Sequence, residues 1–380
     1  MIKILELFGG IGACSKALKK LGIEYEIADY VEIDKYAVLS FNAMHGTNFK
    51  PQDIIQWDKQ LDVDLIMHGS PCQDFSLAGK QMGGDEGSGT RSSLMYETIR
   101  IVERLKPKYV IWENVKNIIS KKHKHNFKAY ITKLRLLGYQ NYCQILNAKD
   151  YGIPQNRERV FVVSVRGDIN SYGCHVFNYK FPPKQRLKLR LKDFLEDNVD
   201  EKYYLSEERI KEITINNIKV EKEFMPKVVA GIGKKDSNSN TQWKQQNRIY
   251  DDNIALSITT VCNPYYLIKN ATKKGYLKAY PGDAVYTNTS NKRGTVQREM
   301  IQTLSSFQDK GVVMDDFRIR KITPKEAWRL MGFDDEDFER AKQTGQSDSQ
   351  LYKQAGNSIV VNVLEEILKN LFKEEKEYGN

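Results

Sequence analysis

The stretch "HGSPCQDFSLAGKQMGGDEGSGTR", residues 68–91, sets one cysteine, Cys72, between a proline and a glutamine and follows it with small, turn-forming residues. A thiol suits addition to an electron-poor carbon, because part of it is ionised near neutral pH and the thiolate is a strong nucleophile. Further along, "ENV" supplies Glu113 and Asn114. A carboxyl facing the same bound molecule as the thiol can hold or move a proton as charge develops there. A third cluster opens the chain. In Phe8-Gly9-Gly10-Ile11-Gly12 the glycines let a ligand approach the backbone and the start of the following helix. Glu32, about twenty residues on, is placed to accept hydrogen bonds from ribose hydroxyls, and the pair points to a nucleoside-containing cofactor. "PQDI" adds Asp53 as a candidate adenine contact. Singly, each feature has a plainer use: a glycine turn as punctuation, a loop aspartate as a turn former, a lone cysteine as a small buried hydrophobe. Their coincidence at successive strand ends carries the inference.

Strands must deliver these residues to one edge. "IKILELF" is a short apolar run expected as a buried strand, and "GGIGACSKALKKLG" a glycine turn opening a helix that ends at Gly22. "YEIADYVEID", "DLIMHGS", "KYVIWENV" and "RVFVVSVR" repeat the strand signal. Between them lie amphipathic stretches such as "SSLMYETIRIVERLKP", with Leu94, Thr98, Ile101 and Leu105 on one stripe. Alternating strands and helices predict an α/β domain with a doubly wound parallel sheet, whose ligands bind beyond the carboxyl ends of the strands. Neighbouring strands end about 5 Å apart, so Cys72 and Glu113 can face one molecule.

At Phe181-Pro182-Pro183 the rhythm breaks, and the chain up to about Arg320 is basic and polar, with "KKDSNSNTQ" as a flexible loop and short strand-like pieces such as "IALSITTV" and "YYLI". A second, smaller domain of irregular or β character is expected there. Helix signals then return: Thr323 as N-cap, Pro324 at the first helical position and Glu326 closing a capping box. A last helix is expected from Asn357 or Ser358 as its cap, with Val361, Leu364, Leu368 and Leu371 as an apolar stripe against the N-terminal sheet.

The 380 residues accommodate two domains, and 40% hydrophobic with 28% charged residues describes a soluble globular chain lacking any apolar run of membrane-spanning length. The five cysteines are scattered and never form a C-x-x-C pair, so neither a disulfide framework nor a zinc site is expected. The N-terminus lacks the sections of a secretion signal, and a cytoplasmic location is expected. A net charge of +10 favours a polyanionic partner such as nucleic acid.

These residues carry a resemblance. "ELFGGIGA", "PCQDFS", "ENV", "QNRERV" (155–160), "RKITPKEAWRLMGF" and "QAGNSIVVNV" are similar, in order, to six motifs of the DNA (cytosine-5)-methyltransferases. Where this chain reads "ELFGG", many relatives have an aspartate and an alanine. The resemblance implies a Rossmann-like methyltransferase sheet, catalytic in residues 1–180 and 319–380, with a target-recognition domain at 181–318 that reads bases from the major groove. It implies S-adenosylmethionine as cofactor, leaving as S-adenosylhomocysteine, and double-stranded DNA as partner. A monomer in a prokaryotic cell or phage-infected host is expected, with a cognate restriction endonuclease as a candidate partner.

Residue by residue, the resemblance makes Cys72 the nucleophile that adds to carbon 6 of a flipped-out cytosine. Glu113 becomes the donor to N3, and Arg159 or Arg157 the donor to O2 or a nearby phosphate. Phe8, Gly10 and Gly12 fall to the adenosine and methionine parts of the cofactor, Glu32 to its ribose and Asp53 to its adenine, with Pro71, Leu94, Asn357 and Ser358 completing the pocket. Gln73 and Ser76 become contacts near the flipped nucleotide, and the glycine-bearing loop from Ser76 to Arg91 closes over it. Three rivals stand beside this reading: a related enzyme acting on transfer RNA, a non-catalytic DNA-binding relative, and a nicotinamide-dependent oxidoreductase on the same sheet. The long basic segment weighs against the first, the presence of Cys72, Glu113 and both arginines against the second, and a cysteine loop left without a role against the third.

Overall fold

A computed structural model describes residues 1–71, 75, 84–167, 178–215, 219–220, 228–231, 248–250, 264–288 and 294–378. Cys72, Gln73 and Ser76 lie outside the described residues, as do "KKDSNSNTQ" and "IALSITTV".

The chain alternates β1 (Ile2–Leu7), α1 (Ala13–Lys20), β2 (Tyr25–Val31), α2 (Lys35–His45), β3 (Leu65–His68), α3 (Met95–Leu105), β4 (Tyr109–Val115), α4 (Lys124–Leu136) and β5 (Tyr139–Asn147), followed by the short β6 (Gln155–Asn156) and β7 (Glu158–Arg166). Six strands form one sheet in the order β2-β1-β3-β4-β7-β5. The β1–β2, β1–β3 and β3–β4 pairs are parallel, and β7 runs antiparallel to both β4 and β5. Helix-covered parallel strands are buried on both faces, which is why β3 is buried along its whole length and β1 from Ile4 onward. Gly22, in the left-handed region at φ +66°, ends α1 as expected. β5 carries no clean sequence signal: its "YQNYCQILN" is half exposed, because it forms an edge of the sheet.

The order β2-β1-β3 puts the reversal of winding between β1 and β3, where the loops leaving the two strands diverge and open a crevice. The glycine turn leaves β1 and residues 69–71 leave β3, so both open onto that crevice.

The described residues fall into two compact units: Met1–Val199 with Met300–Gln308 and Ile322–Asn380, and Asp200–Glu299 with Asp309–Lys321. The second unit holds α5 (Glu207–Ile213) and the short strands β8 (Lys219–Val220), β9 (Val228–Gly231), β10 (Arg248–Tyr250), β11 (Pro264–Lys269), β12 (Tyr276–Ala279), β13 (Ala284–Tyr286) and β14 (Val296–Gln297). After β15 (Ile301–Gln302), which pairs with β6 in the first unit, the chain returns to the second for β16 (Lys310–Val313) and β17 (Ile319–Lys321). Pairings within the second unit are antiparallel, around a small core of Ile213, Tyr266, Ile268, Val285, Val313 and Ile319.

The C-terminal part adds α6 (Pro324–Arg329), α7 (Asp335–Lys342), α8 (Asp348–Asn357) and α9 (Val361–Tyr378) to the first unit. Thr323 caps α6 and Glu326 closes the capping box. The expected start of the last helix is corrected. Ser347 caps α8, Asn357 is its final residue, Ser358 is its C-cap, and α9 begins only at Val361. Polar residues at a junction of two helices serve an end as well as a start, and α8 has a weakly amphipathic sequence. The stripe of α9 is buried, with Phe372 meeting Tyr109 of the sheet edge-on at 5.9 Å. Ion pairs bind this segment back to the N-terminal elements: Lys16 with Asp337 (2.6 Å), Lys20 with Glu365 (3.5 Å) and Lys353 with Asp34 (2.7 Å).

Candidate active site

The turn after β1 bends sharply. Phe8 (φ +52°), Gly10 (φ +54°) and Gly12 (φ +76°) all adopt positive φ. For Phe8 that conformation costs on the order of 1 kcal/mol, a strain typical of functional turns. Gly12 is required twice over, since a Cβ there would sit 2.6 Å from His45 Nε2 and 2.7 Å from the Phe41 ring. Gly10 differs: a Cβ would meet nothing within 4 Å, so this backbone faces open space. The Gly10 carbonyl accepts from the Tyr30 hydroxyl (2.6 Å), and its N–H donates to Glu32 Oε2 (3.1 Å). Glu32 Oε1 accepts from the Asp34 N–H (2.8 Å). The Ile33 N–H also bears on this carboxylate; with about four acceptor positions it can still take a hydroxyl. Burial pushes the Glu32 carboxyl above its ordinary pKa. The Gln52 N–H donates to the Glu32 carbonyl (2.8 Å), bringing the Asp53 loop beside the end of β2. Asp53 Oδ1 accepts from the Ile55 N–H (3.0 Å), fixing the loop as an Asx turn. Ile33, 69% exposed, and Ile55, 58% exposed, flank these acids as uncovered apolar side chains. Phe8 and Leu94 both pack, half-buried, on the core beneath.

Glu6, inside the buried β1, reaches the start of α1 and accepts from the Ser15 N–H (3.0 Å), the Ser15 hydroxyl and the Cys14 N–H. Burial raises its pKa to about 7 against the pull of those donors. The Cys14 and Ser15 donors of this helix N-terminus are thus taken within the chain, and α1 has little left to offer a phosphate.

The second wall is built from the ends of β3, β4 and β7. Glu113 on β4 is buried, and its Oε1 lies 3.0 Å from Arg159 Nε on the antiparallel β7. Desolvation raises the Glu113 pKa, and the charges of Arg159 and Arg157 pull it back down. At the end of β3, Ser70 is a node: its hydroxyl accepts from Trp112 Nε1 (2.9 Å) and Asn114 Nδ2 (3.2 Å). Asn117 Nδ2 donates to the Phe75 carbonyl (2.6 Å), and the Phe75 ring is fully buried. Residues from the end of β4 and the turn after it therefore hold the chain on both sides of Cys72. Pro71, next to the node, is half-buried.

Arg157 and Arg159 are not equivalent. Arg157 is buried, and its guanidinium donates to the carbonyls of Leu304 (3.0 Å), Gly356 (3.1 Å) and Ser358 (2.7 Å). It thereby fixes the α8–α9 junction, where Asn357 is exposed and Ser358 buried. Ile359, the next residue, would lie 3.4 Å from a Cβ on Gly69, which would itself be 3.6 Å from Glu113 Oε2. The structure thus gathers Phe8, Gly10, Gly12, Glu32 and Asp53 at the ends of β1 and β2. It gathers Pro71, Glu113, Arg159 and the Asn357–Ser358 junction around the ends of β3 and β4. Glu6, Ile33, Ser70 and Trp112 belong to these walls without belonging to an expected site. Only Glu6, an acid inside an apolar strand, stands out in the sequence.

Fold and site define an α/β protein of doubly wound type, with a glycine turn and two acids at one strand-end crevice beside an acid–arginine pair. The chain belongs to the C-5 cytosine-specific DNA methylases, whose family model matches residues 2–373. It is 30% identical to the orphan methyltransferase M.Rho11sI of Bacillus phage rho11s, over 97% of each chain. It is 32% identical to the type II methyltransferase M2.ScrFI of Lactococcus lactis subsp. cremoris, over 98% of this chain and 99% of that one. Among solved structures it resembles a Spodoptera frugiperda DNMT2 mutant with a TM-score of 0.60 at 19% identity, covering 98% of this chain and 100% of the other, a likeness of fold. The protein is a DNA (cytosine-5)-methyltransferase, of a family that uses S-adenosylmethionine, and its substrate is DNA. Among the described residues, no helix is long and apolar enough to cross a membrane.

Proposed function

We propose that the protein methylates cytosine within a specific duplex sequence by flipping the base out and attacking it covalently through Cys72. The observation that carries this reading is the ion pair between buried Glu113, on the strand next to the one that runs into Cys72, and Arg159 of β7, 3.0 Å apart. Carbon 5 of cytosine is a weak nucleophile inside an aromatic ring. The Cys72 thiolate adds to carbon 6, making an enamine whose carbon 5 is nucleophilic. Negative charge moves to N3 and O2, where a protonated Glu113 donates to N3 and Arg159 to O2. The upward push of burial on Glu113 favours the protonated form this step requires. When bound, S-adenosylmethionine supplies the electrophilic methyl group that carbon 5 attacks. The proton on carbon 5 is then removed, the Cys72 thiolate leaves carbon 6, and the ring is aromatic again.

The residues present fit that cofactor. Gly10 presents an open backbone face, Glu32 keeps an acceptor position for a ribose hydroxyl, and Ile33 and Ile55 offer apolar surface for an adenine edged by Asp53. The occupation of the α1 donors by Glu6 favours a nucleoside without phosphates over a dinucleotide. Pro71, Leu94, Asn357 and Ser358 complete the pocket in this reading. Gln73 and Ser76 contact the flipped nucleotide, and residues 181–318 read the target bases. Base-resolution mapping of DNA from cells expressing the protein tests the reading. Methylcytosine in one fixed sequence context, lost with Cys72→Ala, is expected; methylated adenine, or methylation confined to transfer RNA, overturns it.

A further inference from the structure

Between the end of β4 and the first turns of α4 the chain reads KNIISKKHKHNFK, residues 116–128, with Lys121, Lys122, Lys124 and Lys128 all exposed. The first turn of α4 contains no acidic residue, and no side chain caps it. Neighbouring lysines are neutralised, Lys116 by Glu158 (2.9 Å) and Lys133 by Glu86 (2.6 Å). Among the described residues, no carboxylate pairs with Lys121, Lys124 or Lys128. Cations at a helix N-terminus oppose the helix dipole and repel one another, so this arrangement is unfavourable in the free protein and is relieved by an anion. The N-cap residue adds a second sign: His123 is only 1% exposed, and its Nε2 has no hydrogen-bond partner among the described residues.

The cluster also lies beside the reaction centre. A short 3-10 turn, Lys116–Ile119, joins it to the end of β4 that carries Glu113. The His123 ring packs edge-on against Phe75 at 5.2 Å, and Phe75 is three residues beyond Cys72. His125 contacts Asp85 at 2.8 Å, which ties the same turn of α4 to the far end of the segment that follows Cys72.

We propose that Lys121, Lys124 and Lys128 form a surface for the backbone phosphates of the duplex on the flank of the target base. The inference rests on the reading that cytosine is presented at the Glu113 edge. Lysines grip phosphates as point charges and read no base, so the surface contributes affinity and register while sequence choice is made elsewhere.

The test is the salt dependence of binding by the full-length protein to a duplex carrying its site. In a Lys121→Gln, Lys124→Gln, Lys128→Gln triple variant, the slope of log K against log[salt] becomes shallower by about 0.9 for each phosphate that is no longer neutralised, roughly 2 to 3 in all. Affinity for cognate and unrelated duplexes falls by about the same factor, roughly 10- to 100-fold at low salt. The kcat at saturating DNA and the sequence preference stay at the parent values, and a triple arginine variant keeps the parent slope. A matched variant at the opposite edge of the sheet, Lys106→Gln, Lys108→Gln and Arg135→Gln, controls for net charge and keeps the parent slope. An unchanged slope in the first variant, or an equal change in the control, overturns the proposal. Failure of the underlying reading has a different signature: Cys72→Ser would still transfer methyl groups to cytosine, whatever the slopes.

Discussion

Arg157→Lys separates the two arginines. The Arg157 guanidinium donates to three carbonyls from two chain segments, at 3.0, 3.1 and 2.7 Å, inside the protein. A lysine ammonium keeps the charge but loses the planar fork, and from the same backbone position it reaches one of those carbonyls well. Two charge-assisted bonds are then lost and two buried carbonyls are left without a donor. At roughly 1.5–3 kcal/mol for each bond, the cost is about 4 kcal/mol. That corresponds to a fall on the order of 10 °C or less in the thermal midpoint. Arg159→Lys, by contrast, alters a half-buried side chain whose main partner is Glu113; the charge is kept and at most one charge-assisted bond is weakened, a cost of about 1–2 kcal/mol. Its effect falls on the chemical step, with kcat reduced about 10²- to 10³-fold as for loss of one oxyanion donor. Calorimetry with single-turnover methyl transfer, measured well below both midpoints, reads the two effects independently. If Arg157→Lys melts like the parent yet loses the chemical step as Arg159→Lys does, the division of labour is wrong.

Gly12→Ala puts a methyl group 2.6 Å from His45 Nε2 at a φ of +76°, and should weaken S-adenosylmethionine binding at least tenfold by titration calorimetry while costing about 1–3 kcal/mol of stability. Ser70→Ala strips the acceptor from Trp112 Nε1 and leaves Asn114 Nδ2 only the Ser70 carbonyl (3.3 Å), a loss of about 1–3 kcal/mol, and should slow covalent capture of DNA without changing cofactor affinity. Glu113 must be protonated to donate, so kcat should fall as pH rises through its elevated pKa. Because Arg159 pulls that pKa down, Arg159→Gln should move the falling limb of the pH–rate profile to higher pH, and Glu113→Gln should abolish the limb. The same shift gives a stability term that is full below the ordinary carboxylate range and is lost as pH rises through the folded pKa.

Much of the catalytic unit is legible in the sequence because parallel strands buried on both faces declare themselves as apolar runs, each followed by its loop residues. Glu32 and Glu113 stand out that way, from their positions after "YV" in "YVEID" and within "YVIWENV". β5 is not legible, since an edge strand with polar residues on its open side has no such run. Ser358 has the local signature of a helix start yet ends a helix, because its backbone is claimed by Arg157 from far along the chain. The same long-range contact distinguishes two arginines that local sequence leaves alike. Glu6 illustrates the converse: an acid in an apolar strand is visible in sequence, but its use, capping α1 through Cys14 and Ser15, depends on a turn with three positive φ angles.

Catalysis as proposed turns on a transient bond between the Cys72 sulfur and carbon 6 of a cytosine outside its helix. A duplex carrying 5-fluorocytosine at the recognised site blocks the final elimination, since fluorine on carbon 5 cannot leave as a proton does. A denaturation-resistant protein–DNA adduct is expected, one that forms only with S-adenosylmethionine, maps to Cys72 and fails to form with Cys72→Ser. An adduct of equal yield in the serine variant, or one attached to another residue, would contradict that mechanism.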